Sequence, residues 1–411
     1  MKNSILIIGI NYFPEITGIG KYTAEMAEYL ASEKDFGVTV ITGNPYYPQW
    51  RIYDGYKNNI KKEIVNGITV YRSPVYIPSR PRTMRRLLQD ALFFACSFLI
   101  INWLILRRKK YDYIFMPVPP FAIGFIGLYY RFFFRKVKLI YHIQDLQIDA
   151  AKNLGMLKHK RLLGILFNLE TYILKSVNYV STISEGMKSK IQEKANNQID
   201  TILFPNWINN SEIFPTSPDS ILKKYSWLKD KKMIFYSGAI GEKQGLEILI
   251  DTAHYFKDHE AFCFIIAGEG PYKEKLSLYA QSMGLANVIF LNLLPTNEFN
   301  EMLNAAFLHI IIQKEAGNDL FLPSKLTNIL GVGGCVIVSA SPSTSLYNII
   351  NNYQCGYIIP NSNLENISSS IIELSRNKEL YEKIKLNARS YATTYLYKVN
   401  VIDNFLGKIS E

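Results

Sequence analysis

Three short glycine-bearing segments carry the residues of this chain that are best suited to hold a phosphate. Each precedes a helix-like stretch, and they are residues 18–23 (GIGKYT), 237–245 (SGAIGEKQG) and 267–271 (AGEGP). Glycine lets backbone N–H groups approach a ligand closely, and a helix N-terminus favours negative charge. The glycines concerned are Gly18, Gly20, Gly238, Gly268 and Gly270. One such segment alone is also compatible with a simple tight turn, but three together suit a nucleoside diphosphate.

Two lysines lie where they could meet that phosphate charge. Lys243 is in the second segment, and Lys325 follows Pro323 and Ser324 in residues 322–328 (LPSKLTN). Proline and serine commonly begin helices, so the N–H groups of Ser324 and Lys325 are expected to be available to an anion. A solvated first-turn lysine is the alternative for Lys325. The sequence contains no D-x-D motif, so lysines and helix ends are expected to stabilise phosphate charge without a metal.

Short apolar runs alternate with helix-like stretches along the chain, which is typical of a doubly wound parallel sheet. In the first half the strand-like runs are residues 4–10, 38–42, 68–71, 113–116, 138–142, 179–183 and 202–204. After a polar stretch the pattern restarts with residues 233–236, 262–267, 288–291, 308–312 and 335–338. The pattern predicts an α/β fold with two Rossmann-like domains, residues 1–205 and 206–390, whose strand ends face a central cleft.

Composition limits the class of protein. The 411 residues exceed what one hydrophobic core normally fills, and the 48% hydrophobic and 20% charged content excludes a disordered or fibrous chain. The cysteines are widely spaced and form no C-x-x-C pair: Cys96, Cys263, Cys335 and Cys355. This spacing excludes a zinc ribbon, and we expect a reduced, cytoplasmic protein.

Positive charge is concentrated in the first half of the chain. Residues 51–110 hold 13 basic and 3 acidic side chains, and they surround an apolar stretch at 87–106. Its uncharged part, residues 91–106, would be about 24 Å long as a helix, which is short for a membrane span. A buried helix and a helix lying in an anionic membrane interface both remain open. Nucleic acid is not expected as a partner, because the basic residues flank an apolar run and do not alternate with stacking aromatics.

Seven motifs, spread in matching order over most of the chain, resemble the metal-independent, retaining GT-B glycosyltransferases of family four. They also resemble, more narrowly, the exopolysaccharide branch of colanic-acid type, whose best-known members are described as fucosyltransferases. The motifs are GINYFPEITGIGKYTAEMAEYL (9–30), NPYYPQW (44–50), HIQDLQIDA (142–150), VSTISEGM (180–187), FPNW (204–207), YSGAIGEKQGLE (236–247) and LPSKLTNILGVGG (322–334).

The resemblance implies a nucleotide sugar held mainly by the second domain and an acceptor held by the first. It assigns the diphosphate to Lys243, to the helix that Lys325 opens, and to Gly18 and Gly20 from the first domain. It places the nucleoside near Gly268 and Gly270. Residues 391–411 would form a helix that returns to the first domain. The reaction implied is transfer of a sugar, with a GDP-linked deoxyhexose such as fucose favoured and a UDP-sugar as the other option, and with no cofactor or metal.

His142 matches the residue that the family places near the reacting sugar. A sugar-contact or ordering role, a general base and a plain core histidine are all compatible with its position after a strand. Asp145 and Asp149 lie close by in sequence, and a structural role is equally compatible with each. No carboxylate is placed convincingly as a nucleophile, so retention would most simply proceed on one face of the sugar.

Two positions depart from the family pattern. Asn328 stands where the family usually has the second glutamate of a Glu-x7-Glu motif, and Leu320, beside Asp319, stands at the first. Ala239 replaces a common arginine. Asn328 can still hydrogen-bond a ribose hydroxyl, although the carboxylate charge is lost. We interpret these changes as specific to the branch and compatible with activity.

The acceptor that the resemblance implies is a lipid-linked oligosaccharide of exopolysaccharide, capsule or O-antigen synthesis. The basic and apolar segment at 80–110 would then hold the enzyme on the cytoplasmic face of the inner membrane. Two other interpretations stay open. A sugar-nucleotide 2-epimerase shares the two-domain plan, and a non-catalytic sugar-nucleotide or polysaccharide-binding protein would fit the change at Asn328.

Overall fold

Short apolar runs form the strands of two sheets, one in each of two units of the chain. The computed structural model describes residues 3–15, 18–78, 83–153, 159–312, 324–342 and 344–410. Unit 1 comprises Met1–Phe204 together with Phe405–Glu411, and unit 2 comprises Pro205–Asn404. Each unit is an α/β layer structure, as the alternation of strand-like and helix-like stretches predicts.

Unit 1 is built on an eight-stranded sheet of order β3-β4-β2-β1-β5-β6-β7-β8, parallel except for the antiparallel pair β3–β4. Its strands are β1 (Ser4–Ile8), β2 (Gly37–Gly43), β3 (Lys61–Val65), β4 (Ile68–Ser73), β5 (Tyr113–Val118), β6 (Lys138–Ile143), β7 (Tyr179–Thr182) and β8 (Thr201–Leu203). Its helices are α1 (Gly18–Ser32), α2 (Thr83–Leu106), α3 (Ile123–Phe133), α4 (Gln147–Asn153), α5 (Lys160–Ser176) and α6 (Glu185–Lys194).

Unit 2 is built on a six-stranded parallel sheet of order β11-β10-β9-β12-β13-β14. Its strands are β9 (Lys232–Ser237), β10 (Phe262–Ala267), β11 (Val288–Leu291), β12 (Leu308–Ile311), β13 (Val336–Ser339) and β14 (Tyr357–Ile359). Its helices are α7 (Asp219–Lys224), α8 (Glu247–Tyr255), α9 (Lys273–Ser282), α10 (Thr296–Ala305), α11 (Ser324–Gly331), α12 (Ser345–Tyr353), α13 (Leu364–Arg376), α14 (Lys378–Tyr391) and α15 (Lys398–Ser410), whose last residues belong to unit 1.

The end of α15 is fixed to the sheet of unit 1. Phe405 stacks on Phe204 with ring centroids 4.0 Å apart and meets Phe115 edge-on at 6.2 Å. The side chains of Lys138 and Tyr179 both donate hydrogen bonds to the carbonyl oxygen of Ile409. These contacts bury the final apolar residues of the chain against β5 and β6.

The predicted strands all form, within two residues at either end, and the α/β fold is confirmed. Two strands were not predicted, β3 (KKEIV) and β14 (YII). β3 is an exposed edge strand whose charged residues hide the alternation, since edge strands are commonly protected by lysine and glutamate. β14 is too short to stand out from a loop.

Candidate functional site

The chain order of the unit 2 sheet reverses between β9 and β12. From β9 the chain proceeds to β10 and β11 on one side, and from β12 to β13 and β14 on the other. Ligands of open α/β sheets bind at the carboxyl ends of the strands at such a switch point. The segment that follows β9 begins at Gly238, and the helix that follows β12 is α11. Two of the predicted phosphate-binding segments therefore flank the switch point.

The glycines of residues 237–245 and 267–271 pack against each other. The Gly238 N–H donates to the Ala267 carbonyl at 3.0 Å. A Cβ added to Gly268, whose φ is +151°, would lie 1.9 Å from the Gly238 oxygen. A Cβ on Gly270 would lie 2.0 Å from the carbonyl oxygen of Ile240. The lack of a side chain at Gly268 and Gly270 therefore makes room for the neighbouring loop, and their contact with a nucleoside stays a prediction from the resemblance.

Lys325 occupies the first turn of α11 and points at the β9 loop. Its Nζ lies 4.0 Å from the centroid of the Tyr236 ring and 3.5 Å from the position that a Cβ on Gly238 would take. Tyr236 in turn donates a hydrogen bond to the Ala239 carbonyl at 2.8 Å, which fixes the loop. The solvated-lysine alternative is therefore wrong, because the side chain is packed between a strand residue and a glycine loop.

The environment of Lys325 is unfavourable for its own charge. Burial lowers the pKa of Lys325 to about 8, and within the described parts of the chain no carboxylate pairs with it. A half-buried ammonium with an aromatic face on one side and a helix N-terminus nearby is suited to an incoming anion. The Lys325 ammonium and the N-terminus of α11 would then both stabilise the negative charge of that anion.

The other predicted residues of unit 2 lie on α11 and in the segment that follows β9. Ser324 is the first residue of α11, and Asn328 lies one turn after Lys325 on the same helix, half-buried. Lys243 is in a short 3₁₀ helix, Glu242–Gln244, that ends at Gly245 with φ +63°. Leu320 stands where the family has the first glutamate of its Glu-x7-Glu motif. Leu320 and the neighbouring Asp319 lie outside the described residues.

In unit 1, Gly20 is packed against a buried carboxylate. A Cβ on Gly20 would lie 3.0 Å from Oε2 of Glu15. Oε1 of Glu15 accepts hydrogen bonds from the backbone N–H groups of Tyr46 and Tyr47, both at 2.9 Å. Burial raises the pKa of Glu15. Glu15 therefore packs beside Gly20 and fastens the NPYYPQW segment to the start of α1. Gly18, with φ +62°, is the first residue of that helix, and a phosphate contact of Gly18 and Gly20 stays a prediction.

His142 lies in the core of unit 1. Its side chain is buried, its Nδ1 lies 3.0 Å from Oγ of Ser181, and its ring stacks on Phe115 at 5.3 Å and meets Phe204 at 5.1 Å. Burial lowers the pKa of His142 to about 3, so the ring is neutral. These surroundings are those of a core histidine, and its role in catalysis stays a prediction from the resemblance.

Replacing His142 by glutamine tests that role. We expect the free energy of unfolding to fall by about 1–3 kcal/mol, because aromatic contacts are lost, with kcat changed less than about threefold. Phe115→Leu is the matched control, since it disturbs the same cluster without removing a polar group. A loss of kcat of about a hundredfold in H142Q, with Phe115→Leu unaffected, would instead establish sugar contact.

A polar cluster, which sequence reasoning did not assemble, surrounds the start of α2. The Asp90 carboxylate accepts a hydrogen bond from Gln147 Nε2 at 2.6 Å, and burial raises the pKa of Asp90 to about 6. Arg86 lies one turn earlier, its guanidinium 5.2 Å from the ring centroid of Trp50, and its charge lowers the pKa values of both Asp90 and Asp145. The signal in the sequence was Asp90 itself, a carboxylate in an otherwise apolar helix.

Asp145 follows β6 and completes this polar cluster. Its Oδ1 is buried and has no hydrogen-bond partner among the described residues, and burial raises its pKa. Asp149, by contrast, forms an ion pair with Lys194, which also bonds Glu170. The structure thus separates the two aspartates that the sequence left equivalent: Asp149 is structural, and Asp145 has an unused acceptor oxygen.

The comparisons with known proteins identify the family and agree with the two-unit α/β fold. Residues 17–207 match the family described as glycosyl transferase 4-like domain, and residues 218–391 match glycosyl transferases group 1. The chain is also 36% identical, over 98% of its length and 99% of the relative, to WcaI of Escherichia coli (strain K12), named as a colanic acid biosynthesis glycosyl transferase. The chain belongs to the group 1 glycosyltransferases. It is an enzyme of the GT-B class with two parallel-sheet units.

Solved structures of this class share the fold at low sequence identity. Sucrose-phosphate synthase of Thermosynechococcus elongatus superimposes with a TM-score of 0.70 at 13% identity, covering 100% of this chain and 98% of that one. HepE of Anabaena, in complex with UDP and glucose, superimposes with a TM-score of 0.67 at 13% identity, covering 99% of both chains. Among the described residues of this glycosyltransferase, no group of three His, Cys, Asp or Glu side chains could hold a metal ion.

Proposed function

We propose that this glycosyltransferase moves a sugar from a nucleoside-diphosphate donor, bound on unit 2, to a hydroxyl of a lipid-linked oligosaccharide bound on unit 1. The observation that carries the proposal is Lys325, a half-buried ammonium at the sheet switch point with no carboxylate partner in the described chain. The E. coli relative supports exopolysaccharide synthesis as the setting. The resemblance favours a GDP-linked deoxyhexose such as fucose, and the UDP complex of HepE supports a UDP-sugar as the other option.

The donor site consists of the β9 loop with Gly238, the adjoining loop with Gly268 and Gly270, and the start of α11 with Ser324, Lys325 and Asn328. Lys243 is included from the resemblance. In the reaction the bond between the anomeric carbon and the phosphate oxygen breaks, and a bond to the acceptor oxygen forms on the same face. The acceptor proton passes to the leaving phosphate, whose growing negative charge Lys325 and the α11 N-terminus stabilise without a metal.

The donor affinity should depend on pH through Lys325. Its pKa of about 8 is lowered by burial, so the ammonium is present below that pH and is lost above it. A nucleoside diphosphate is fully ionised above about pH 7 and needs the charged lysine. We expect affinity to fall up to about tenfold per pH unit above pH 8, measured by calorimetry with GDP and UDP. If donor affinity fell with pH equally steeply in Lys325→Met, the pH dependence would not come from Lys325.

The polar cluster of Asp90, Arg86, Trp50 and Asp145 is proposed to bind the acceptor. A carboxylate oxygen without a hydrogen-bond partner suits a sugar hydroxyl, and an aromatic ring such as that of Trp50 suits the apolar face of a sugar. We expect Asp145→Asn to lower kcat/KM for the acceptor by about a hundredfold and to leave donor affinity unchanged. Its matched control is Asp149→Asn, which should lower stability and spare the acceptor KM; equal kinetic effects in both variants would refute the assignment.

The experiment that tests the proposed function is transfer from labelled GDP- and UDP-sugars to lipid-linked oligosaccharide extracted from exopolysaccharide-producing cells. Product on the lipid fraction, formed equally with and without EDTA, is the expected result. Release of free sugar, or an epimerised donor without an acceptor product, would refute transfer to this acceptor class. The configuration of the new linkage reports whether the transfer is retaining.

The enzyme is further proposed to lie on the cytoplasmic face of the inner membrane, where such an acceptor would be presented. α2 is the basis of this proposal: Arg85–Leu106 is long and apolar enough to cross a membrane by length and composition, a property that the core helices of soluble proteins share. Residues 107–110, exposed at its end, are all basic. Each lysine or arginine near anionic headgroups contributes about 1 kcal/mol to binding.

A further inference from the structure

One side of α2 is buried in unit 1 and the opposite side is exposed. Five exposed apolar residues recur at helical spacing, Leu88, Leu92, Leu99, Trp103 and Leu106, and the exposed Leu87 lies outside this stripe. The other side packs on the sheet, where Phe93 and Ile101 are completely buried. α2 therefore packs in unit 1 on one side and exposes an apolar stripe on the other. This packing agrees better with a helix that lies along the membrane surface than with one that crosses the membrane.

α5 carries a second exposed apolar stripe. Leu162, Ile165, Leu169 and Tyr172 recur at intervals of three and four residues, and Ile165 and Tyr172 are 57% and 60% exposed. The buried side of α5 contains Ile173. A surface helix of a soluble domain normally exposes its polar side, so a regular apolar stripe facing outward needs a partner.

α3 lies between α2 and α5 and contacts both. Tyr129 of α3 packs on Phe98 of α2, with ring centroids 4.8 Å apart. Phe125 of α3 stacks on Tyr172 of α5 at 6.4 Å. At the end of α3, Phe132 and Phe133 are 75% and 47% exposed. We call the exposed apolar residues of α2, α3 and α5 the apolar face.

The exposed charges on these three helices and at their ends are basic, apart from Asp112, whose carboxylate accepts hydrogen bonds from Ser4. The acidic residues of these three helices are Asp90 and Glu170, which are respectively half-buried with Gln147 and buried with Lys194. Exposed basic residues stand at the helix ends: residues 107–110, Arg135, Lys136, Lys160 and Arg161. Two copies of this chain meeting through the apolar face would bring like charges together, whereas an anionic lipid surface complements both the apolar residues and the basic rim.

We propose that the apolar face, with α5 as a second line of contact beside α2, docks this enzyme flat on an anionic lipid surface. This extends the proposed membrane location, which rests on α2 and its basic flanks alone. The apolar side chains enter the boundary between headgroups and acyl chains, and the basic rim binds the headgroups. Docking needs neither donor nor acceptor, so its failure is distinguishable from failure of the transfer reaction.

The test is sedimentation of the full chain with vesicles of phosphatidylcholine containing about 30% phosphatidylglycerol, compared with pure phosphatidylcholine vesicles. The α5 variant is Ile165→Glu/Leu169→Glu, and the control is Leu278→Glu/Leu386→Glu, which alters two exposed leucines of unit 2 helices. We expect the α5 variant to lose at least tenfold in partition coefficient for anionic vesicles, the control to lose less than twofold, and both to unfold at the wild-type temperature.

Vesicle binding of the α5 variant at wild-type strength would overturn the proposal, as would wild-type binding that is equal on neutral and anionic vesicles. Light scattering tests whether a second copy of the chain, and not a lipid surface, covers the apolar face. A wild-type dimer that Ile165→Glu/Leu169→Glu converts to a monomer would assign the apolar face to a second copy of the chain. Quenching of Trp103 by brominated lipids, lost in Trp103→Phe, is expected if α2 and α5 dock together.

Discussion

Replacing Lys325 by methionine is expected to lower kcat by about 10²–10³-fold, because the ammonium aimed at the leaving phosphate disappears. The same change should raise the free energy of unfolding by up to about 3 kcal/mol, since burial lowers the pKa of this lysine from 10.5 to about 8 and its charge therefore opposes folding. Loss of activity with a gain in stability is typical of a functional residue.

Transfer kinetics and thermal unfolding measure the two effects on the same preparation. Lys224→Met is the control, because this exposed lysine pairs with Glu298 on the unit 2 surface and should affect neither activity nor the fold strongly. Loss of stability in Lys325→Met, with kcat within threefold of wild type, would show that the lysine is structural.

Gly268→Ala is expected to destabilise unit 2 by several kcal/mol and to abolish donor binding. The new Cβ would lie 1.9 Å from the Gly238 carbonyl oxygen, and a φ of +151° is unfavourable for alanine. Neither backbone segment can move without breaking the hydrogen bond from the Gly238 N–H to the Ala267 carbonyl. The loop that carries Gly238 would therefore move away from Lys325.

Gly284→Ala is the matched control for Gly268→Ala. Gly284 also belongs to unit 2 and has a φ of +65°, but no atom lies within 4 Å of its added Cβ. It should cost about 1–2 kcal/mol from backbone strain alone and should preserve donor affinity. Calorimetry with GDP or UDP and chemical unfolding report both properties. Equal losses of stability and donor affinity in the two alanine variants would show that the contact between the Gly268 and Gly238 loops does not maintain the donor site.

The positions of the loops could be predicted from the sequence, but their partners could not. Gly268 and Gly270 lie after a strand, as the apolar run at 262–267 predicts, because strand and helix patterns are local. That the two glycines face Gly238 and Ile240 depends on how β9 and β10 pair, and no local pattern contains this information. The need for glycine at these two positions could be predicted, whereas the contact with the neighbouring loop could not, and their contact with a nucleoside stays a prediction.

For the charged residues, too, the sequence predicts the position along the chain but not the partner in space. Lys325 was singled out from its position near a helix start, whereas its burial against Tyr236 required the three-dimensional structure. Asp90 is the one carboxylate of an otherwise apolar helix in the sequence, but its proximity to Gln147 depends on contacts between α2 and α4. Glu15 was overlooked because a single glutamate beside Pro14 has no pattern, although it fixes the segment at Tyr46 and Tyr47.

The most direct test of the central claim, a diphosphate site on unit 2 centred on Lys325, is thermal unfolding of the purified enzyme with UDP, GDP, ADP, CMP, dTDP or NAD, each with and without EDTA. A ligand at about 100 times its Kd stabilises by about 2.7 kcal/mol, enough for a shift of a few degrees. The account predicts a shift with GDP or UDP that EDTA leaves unchanged and that Lys325→Met loses. A shift with NAD alone, or a nucleotide shift that EDTA abolishes, would contradict it.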